Sequence, residues 1–165
     1  MIRPATFLDI GVLTAMLHEM YARSKYAGRV AIKPKLAEQT LMAMVAGQGQ
    51  HGPQGSFLHI AEQDGKPAGF MAGVLQPIYF IGDKLEAQDA FLYARDGAKA
   101  SVTLRLIDAY IEWALGNRRV IEIKLSWNDT LPGAERIAAV YQRKGFERIG
   151  EIYEMRVDTA QGVAA

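Results

Sequence analysis

The chain has 165 residues, half of them hydrophobic, with 19 Lys and Arg against 18 Asp and Glu for a formal net charge of +1. That size and composition suit one globular domain with a sizeable core, and the near-neutral balance makes neither nucleic acid nor an acidic membrane surface a required partner. The absence of cysteine excludes disulfides, zinc–thiolate sites and thiol nucleophiles; no apolar run is long enough to span a membrane, and His18, His51 and His59 lack the spacing of a metal site.

Met1-Ile2-Arg3-Pro4 does not read as a signal peptide, so a cytoplasmic location is expected. Ile2 to Ala5 reads as a first strand. Thr6 with Asp9 three residues on has the pattern of a capping box. The helix after it buries Ile10, Leu13, Leu17, Met20 and Tyr21, at spacings of three and four. His18 and Glu19 fall off that stripe and are expected in solvent. Ala22 to Lys33 is a basic loop, a solvated surface or a flap facing substrate. Pro34 starts a second helix with Ala37, Leu41, Met44 and Val45 on its buried face, and Gly47 stops it. Gln48 to Gly55 is a Gly- and Gln-rich loop.

Phe57–Glu62 and Pro67–Val74 are two apolar runs joined through Asp64-Gly65, a strong hairpin signal. Gln76 to Gln88 is an irregular link. Asp89 to Ala94 is a strand, and a helix runs from Ser101 to about Leu115 with Val102, Leu106, Ala109, Tyr110 and Trp113 on its apolar face. Val120 to Leu125 is a further strand. Pro132-Gly133 marks a turn before a helix from about Ala134 to Arg143, where Ile137, Val140 and Tyr141 are apolar. Phe146 to Val157, broken by Gly150, reads as a final hairpin. The order is β-α-α-β-β-β-α-β-α-β-β: a single α/β (α+β) domain over residues 1–158, its mixed, mostly antiparallel sheet flanked by helices, with a flexible tail over 159–165.

Between the central strand and the long helix lies Leu92-Tyr93-Ala94-Arg95-Asp96-Gly97-Ala98-Lys99-Ala100-Ser101. Small residues there bare backbone N–H groups at the mouth of a helix, and Arg95 and Lys99 add positive charge. Bare amides, a helix N-terminus and two cations make a receptor for a phosphate or pyrophosphate. A plain strand-to-helix turn uses the same small residues.

Four stretches, in order, resemble the GCN5-related N-acetyltransferase superfamily: Ile2-Arg3-Pro4-Ala5-Thr6 with Asp9, Gly65-Lys66-Pro67-Ala68-Gly69-Phe70, Arg95-Asp96-Gly97-Ala98-Lys99-Ala100, and Tyr141-Gln142-Arg143-Lys144-Gly145-Phe146. The third resembles the family's acyl-CoA pyrophosphate loop and the fourth its C-terminal Tyr-x-x-x-Gly-Phe signature. Ala98 stands where the family has its first loop glycine. Asn128, which the resemblance would place at the cofactor, precedes Tyr141 by thirteen residues, farther than is usual in the family.

The resemblance implies transfer of an acetyl group from acetyl-CoA, as co-substrate, to a primary amine by direct attack, on a small molecule or a protein. The amides from Gly97 to Ser101, with Arg95 and Lys99, would hold the pyrophosphate; the strand end Leu92–Ala94 would pair with the pantetheine amides. Tyr141 would be the general acid on the leaving thiolate, or simply part of its apolar stripe. Asp89 and Glu86 are the candidate bases, with Glu62 a third, and each also reads as a solvated surface carboxylate. Trp127 and Tyr79 are candidate acceptor contacts. Two other readings compete: a fold that binds acyl-CoA or serves a structural role without turnover, and a nucleobase-modifying enzyme, against which the near-neutral charge argues. A homodimer through the sheet edge or the C-terminal hairpin is compatible with the pattern.

Overall fold

The apolar stripes of the sequence become two cores on opposite faces of one sheet. A computed structural model of the chain describes residues 1–79 and 82–155. Strand β1 (Ile2–Pro4) leads through a 3₁₀ turn (Phe7–Asp9) into α1 (Ile10–Ala22) and α2 (Pro34–Gly47). Strands β2 (Ser56–Gln63), β3 (Lys66–Pro77) and β4 (Leu85–Ala94) follow, then α3 (Ala100–Leu115), β5 (Val120–Lys124) and α4 (Arg136–Arg143). Among the described residues the strands form one five-stranded sheet in the order β1-β2-β3-β4-β5. Every neighbouring pair is antiparallel except β4 and β5, which are parallel because α3 carries the chain back between them.

One core lies under α3. Phe57, Met71, Leu75, Leu85 and Ala87 from the sheet pack against Val102, Leu106, Ile107 and Tyr110, with Tyr141 of α4 at its edge. The other lies under α1 and α2, where Leu58, Ile60, Phe70, Ala72 and Tyr93 meet Leu13, Met16, Leu17, Leu41 and Met44. Both faces of β2 and β3 are therefore covered, which explains why these strands read as continuous apolar runs rather than alternating ones.

Local chemistry fixes the ends of the elements. Asp64 and Gly65 both take positive φ, 53° and 72°, as the two-residue turn between β2 and β3 demands. Both the N–H and the hydroxyl of Thr6 donate to Asp9 at 2.8 Å, and Arg3 clasps the same carboxylate through two bonds of 2.8 Å while also reaching Glu62. The Arg3 guanidinium holds the Asp9 carboxyl well below the usual carboxylate range. This cluster ties β1 to the start of α1 and to β2.

Three expectations change. Both ends of the irregular link over 76–88 are sheet: β3 runs on to Pro77 and β4 starts at Leu85. Its polar residues disguised it, because the Gln76 amide on β3 donates to both Glu86 and Gln88 on β4. Glu19 is not merely solvated but paired with Arg95 at 2.7 Å. No strand of the expected C-terminal hairpin forms over residues 146–155. That segment is drawn toward the end of α1, where Glu154 pairs with Lys25 at 2.6 Å, and Ile149, Ile152, Tyr153 and Met155 face solvent. The remainder of the hairpin, and the tail over 159–165, lie outside the described residues.

Candidate active site

The site is created by an irregularity in β4. Asp89 pairs with Gly73 and Phe91 with Ala72, so Ala90 is an extra residue, a β-bulge. The bulge switches the faces of the strand. Before it, Leu85 and Ala87 point to the α3 core; after it, Leu92 and Ala94 do, while Phe91 and Tyr93 turn to the α1 face. It also ends the pairing with β5. The last matched residues are Gln88 and Lys124, and beyond them the β5 side of Asp89–Ala94 has no strand partner among the described residues. The two parallel strands thus fork, and the freed edge of β4 offers backbone amides and carbonyls to an extended ligand.

Asp89 sits at the fork. Its Oδ1 accepts the N–H and the hydroxyl of Ser126, each at 3.0 Å, across the opening. No cation among the described residues pairs with it, and burial pushes its carboxyl up to about 6 against the pull of the Ser126 bonds. Tyr141, nearly buried, donates from its hydroxyl to the Ser126 carbonyl at 3.2 Å. Burial, and then the Asp89 charge, raise that phenol well above its ordinary range, so it is protonated at any physiological pH. Tyr110 reaches from α3 to the Lys124 carbonyl at 3.2 Å. Its ring needs the bare backbone of Gly73, where a Cβ would come within 2.5 Å of it. The expected acid and one expected base therefore meet around a single residue, Ser126, which sequence reasoning had not singled out. Its position just beyond β5 was the available signal.

Glu86, the other expected base, has a different environment. It is 7% exposed, paired with Lys124, and bonded by the Gln76 amide at 2.8 Å. Lys124 also pairs with Glu122 at 3.1 Å and lies under the Tyr79 ring. A carboxylate so occupied ties β3, β4 and β5 together. Glu62 is likewise taken, by Arg3 at 2.8 Å.

The loop after β4 is a tight turn, with Ala98 N–H bonded to the Arg95 carbonyl at 3.0 Å and Gly97 at φ 81°. Two of the expected free amides are therefore occupied: that of Ala98, and that of Lys99, which donates to the Gln63 side chain at 2.9 Å. In the first turn of α3, Ala100 and Ser101 keep N–H groups with no acceptor among the described residues. The Ala98 side chain is partly buried and packs against the α3 core. Arg95 does not project freely. It forms two bonds to Glu19, at 2.7 and 2.9 Å, and one to the Pro67 carbonyl at 3.0 Å. Asp96 pairs with Arg23 at 2.9 Å, and Arg23 lies over the Tyr93 ring. Lys99 is exposed and makes no ion pair among the described residues. Asn128 is exposed, and its side chain closes a turn onto the Thr130 N–H at 2.9 Å. Trp127 is half exposed beside it.

Among the described residues no group of three or more His, Asp or Glu is placed to hold a metal ion, and no helix is long and apolar enough to cross a membrane. No family model matches the chain, and no curated protein matches it in sequence. Solved structures do match in shape. A "predicted acetyltransferase with acetyl-CoA" from Clostridium acetobutylicum superposes with a TM-score of 0.69 at 16% identity, over 94% of this chain and 95% of that one. A ribosomal-protein-alanine N-acetyltransferase from Brucella melitensis gives 0.65 at 18% identity, over 91% and 86%. An aminoglycoside acetyltransferase from an uncultured soil metagenomic sample gives 0.65 at 13%, over 96% and 98%. Over most of its length the chain has the fold that these acetyltransferases share, that of the GCN5-related N-acetyltransferases its motifs resemble.

Proposed function

We propose that the chain is an N-acetyltransferase that moves an acetyl group from acetyl-CoA to a primary amine. The observation that carries this reading is the fork: a strand edge with no partner among the described residues starts at a half-buried carboxylate that has no ion pair among them, with a protonated phenol across Ser126. The freed edge of β4 over Asp89–Ala94 suits the pantetheine arm. The open amides of Ala100 and Ser101, with the positive end of α3 and Lys99, suit the pyrophosphate. The neighbour crystallised with acetyl-CoA supports the choice of donor.

In this reading Asp89 takes the proton from the attacking amine. A carboxyl titrating near 6 is a stronger base than an ordinary aspartate and is still ionised at neutral pH. The amine nitrogen bonds to the acetyl carbonyl carbon and the carbon–sulfur bond breaks. Tyr141 exchanges its bond to Ser126 for one to the departing sulfur. Its raised pKa makes complete proton transfer uphill, so it acts chiefly by donating a hydrogen bond to the developing thiolate. Glu86 stays in its ion pair with Lys124, and Arg95 positions the loop through Glu19.

Calorimetric titration with acetyl-CoA followed by an amine panel with thiol detection tests the reading. Binding with amine-dependent thiol release is the expected result. Binding without release under any amine identifies an acyl-CoA-binding protein instead, and no binding overturns both.

A further inference from the structure

Past their last matched residues, Gln88 and Lys124, the two arms of the fork run on toward Asp96 and Thr130. One short stretch of chain at the end of α1 holds both. Arg23, the residue that closes α1, pairs with Asp96 at 2.9 Å and lies over the Tyr93 ring. Glu19, one helical turn earlier on the same side of α1, binds Arg95 through two bonds. The β4 arm is thus gripped at two consecutive residues by charges of alternating sign. Lys25 grips the β5 arm. Its N–H donates to the Thr130 carbonyl at 3.0 Å, and its ammonium, which also lies over the Tyr26 ring, reaches Asp129 at 2.5 Å and Glu154 at 2.6 Å.

Arg23 and Lys25 are two residues apart, so the backbone points from which the two grips leave are separated by no more than about 7 Å. Ser24 between them is pinned: its N–H and its hydroxyl both donate to the Tyr21 carbonyl, at 2.9 and 2.8 Å. The helix behind them is rooted in the core by Leu13, Met16 and Leu17, and Leu131, next to Thr130, packs against that same core. A lone exposed ion pair contributes little. Here the Lys25 side chain is only 13% exposed, two carboxylates share its ammonium, and a backbone hydrogen bond runs beside them. The contacts therefore form a network on a rigid base.

We propose that Arg23 and Lys25 are positioning residues: the end of α1 is a strap across the mouth of the fork that fixes its width in the ligand-free chain. Resting on the acetyl-transfer reading, the strap presents the free edge of β4 and the amides of α3 to acetyl-CoA at a set separation from Ser126, and neither side chain touches the donor. Preorganisation of this kind strengthens binding by removing an ordering cost from the binding step.

The width is measured first, without any ligand. The chain has no native cysteine, so Lys99→Cys and Trp127→Cys place one spin label on each arm. Pulsed electron paramagnetic resonance is expected to give a narrow distance distribution that broadens when Arg23→Gln and Lys25→Met are added; an unchanged distribution overturns the strap. Calorimetry on the unlabelled chain then reads the donor. Arg23→Asp is expected to weaken acetyl-CoA binding about tenfold, and adding Asp96→Arg restores most of the loss by remaking the pair with its charges exchanged. Lys25→Met weakens binding and Lys25→Arg retains it. If the exchanged pair restores nothing, Arg23 meets the donor directly and its positioning role is overturned. Absence of acetyl-CoA binding in the unsubstituted chain overturns the acetyl-transfer reading and the donor role with it, while the label distances decide the strap by themselves.

Discussion

The two halves of β4 carry the two candidate bases and treat them in opposite ways. Through Gln88 the strand is paired on both edges, and Glu86 is locked between Lys124 and Gln76. From Asp89 on, only the β3 edge is paired among the described residues, and Asp89 faces the fork with hydrogen bonds and no ion pair among them. The residue types are nearly the same and the positions three apart. What separates a structural carboxylate from a chemical one here is whether the sheet supplies a counter-charge. Partial burial with no cation beside it raises the proton affinity of Asp89 into the range useful for catalysis at neutral pH.

The strongest way to break the comparison is Asp89→Asn. If Asp89 is the base, kcat falls by about 10² to 10⁴, and the rise of kcat through about pH 6 expected of the wild type is absent from the variant. Glu86→Gln leaves that limb in place. Stability gives an independent check with a definite sign. The folded-state carboxyl titrates near 6, above its ordinary 3.8, so the folded chain binds a proton over that interval that the unfolded chain has lost. The wild type therefore loses stability relative to Asp89→Asn as pH rises from about 4 to about 6, and the asparagine variant is the more stable one at pH 8. Denaturant melts at pH 4 and pH 8 measure this. Parallel curves at both would mean that the carboxyl is not perturbed.

The geometry of the fork can be attacked without touching either carboxylate. In Gly73→Ala the new Cβ meets the Tyr110 ring at 2.5 Å and the Gln88 carbonyl at 3.1 Å. Overpacking of this kind costs about 1–3 kcal/mol. Because Tyr110 lies under the bulge, the same change is expected to shift the strand and lower acetyl-CoA affinity. Gly11→Ala, where a Cβ meets nothing within 4 Å, is the neutral control.

Next in size is Tyr141→Phe. It removes one hydrogen bond, worth about 1 kcal/mol of stability, and in the acetyl-transfer reading it lowers kcat roughly tenfold to a hundredfold while leaving KM for acetyl-CoA near its wild-type value. If kcat with a reactive thioester is unchanged, Tyr141 belongs to the core alone, and the downstream half of the comparison rests on Asp89.

Most of the fold is legible in the sequence because the signals are local. The Asp64-Gly65 turn, the Thr6 and Asp9 cap, and the stripes of α1 and α3 each act within a few residues. The upstream half of β4 was hidden because its pattern is completed only across strands: Glu86 and Gln88 look like loop residues until Gln76 and Lys124 lie beside them. The bulge at Ala90 leaves no mark in composition, so the fork and the role of Ser126 could not be read. Glu19 was missed for the same reason. It lies off the apolar stripe of α1, but its partner is Arg95, across the sheet end. Asp89 and Tyr141 could be proposed only through the motif resemblance, not from their own surroundings.

The smallest expected effect concerns the loop at the end of β4, where two cations of similar sequence context have different environments. Arg95 is held by Glu19 and Pro67, whereas Lys99 has no ion partner among the described residues. Lys99→Ala should weaken acetyl-CoA binding about fivefold at low salt, near 1 kcal/mol, and the difference should fade at high ionic strength, as expected for an exposed charge acting on a phosphate. Arg95→Met should instead act first on the loop. It strands Glu19 and frees the Pro67 carbonyl, so it lowers thermal stability and reduces acetyl-CoA affinity in a way that salt does not erase. Isothermal titration of both variants at two salt concentrations, alongside their melting temperatures, separates the two roles. If Lys99→Ala and Arg95→Met show the same salt dependence and the same stability, both cations face the ligand, and the Glu19 pair opens when it binds.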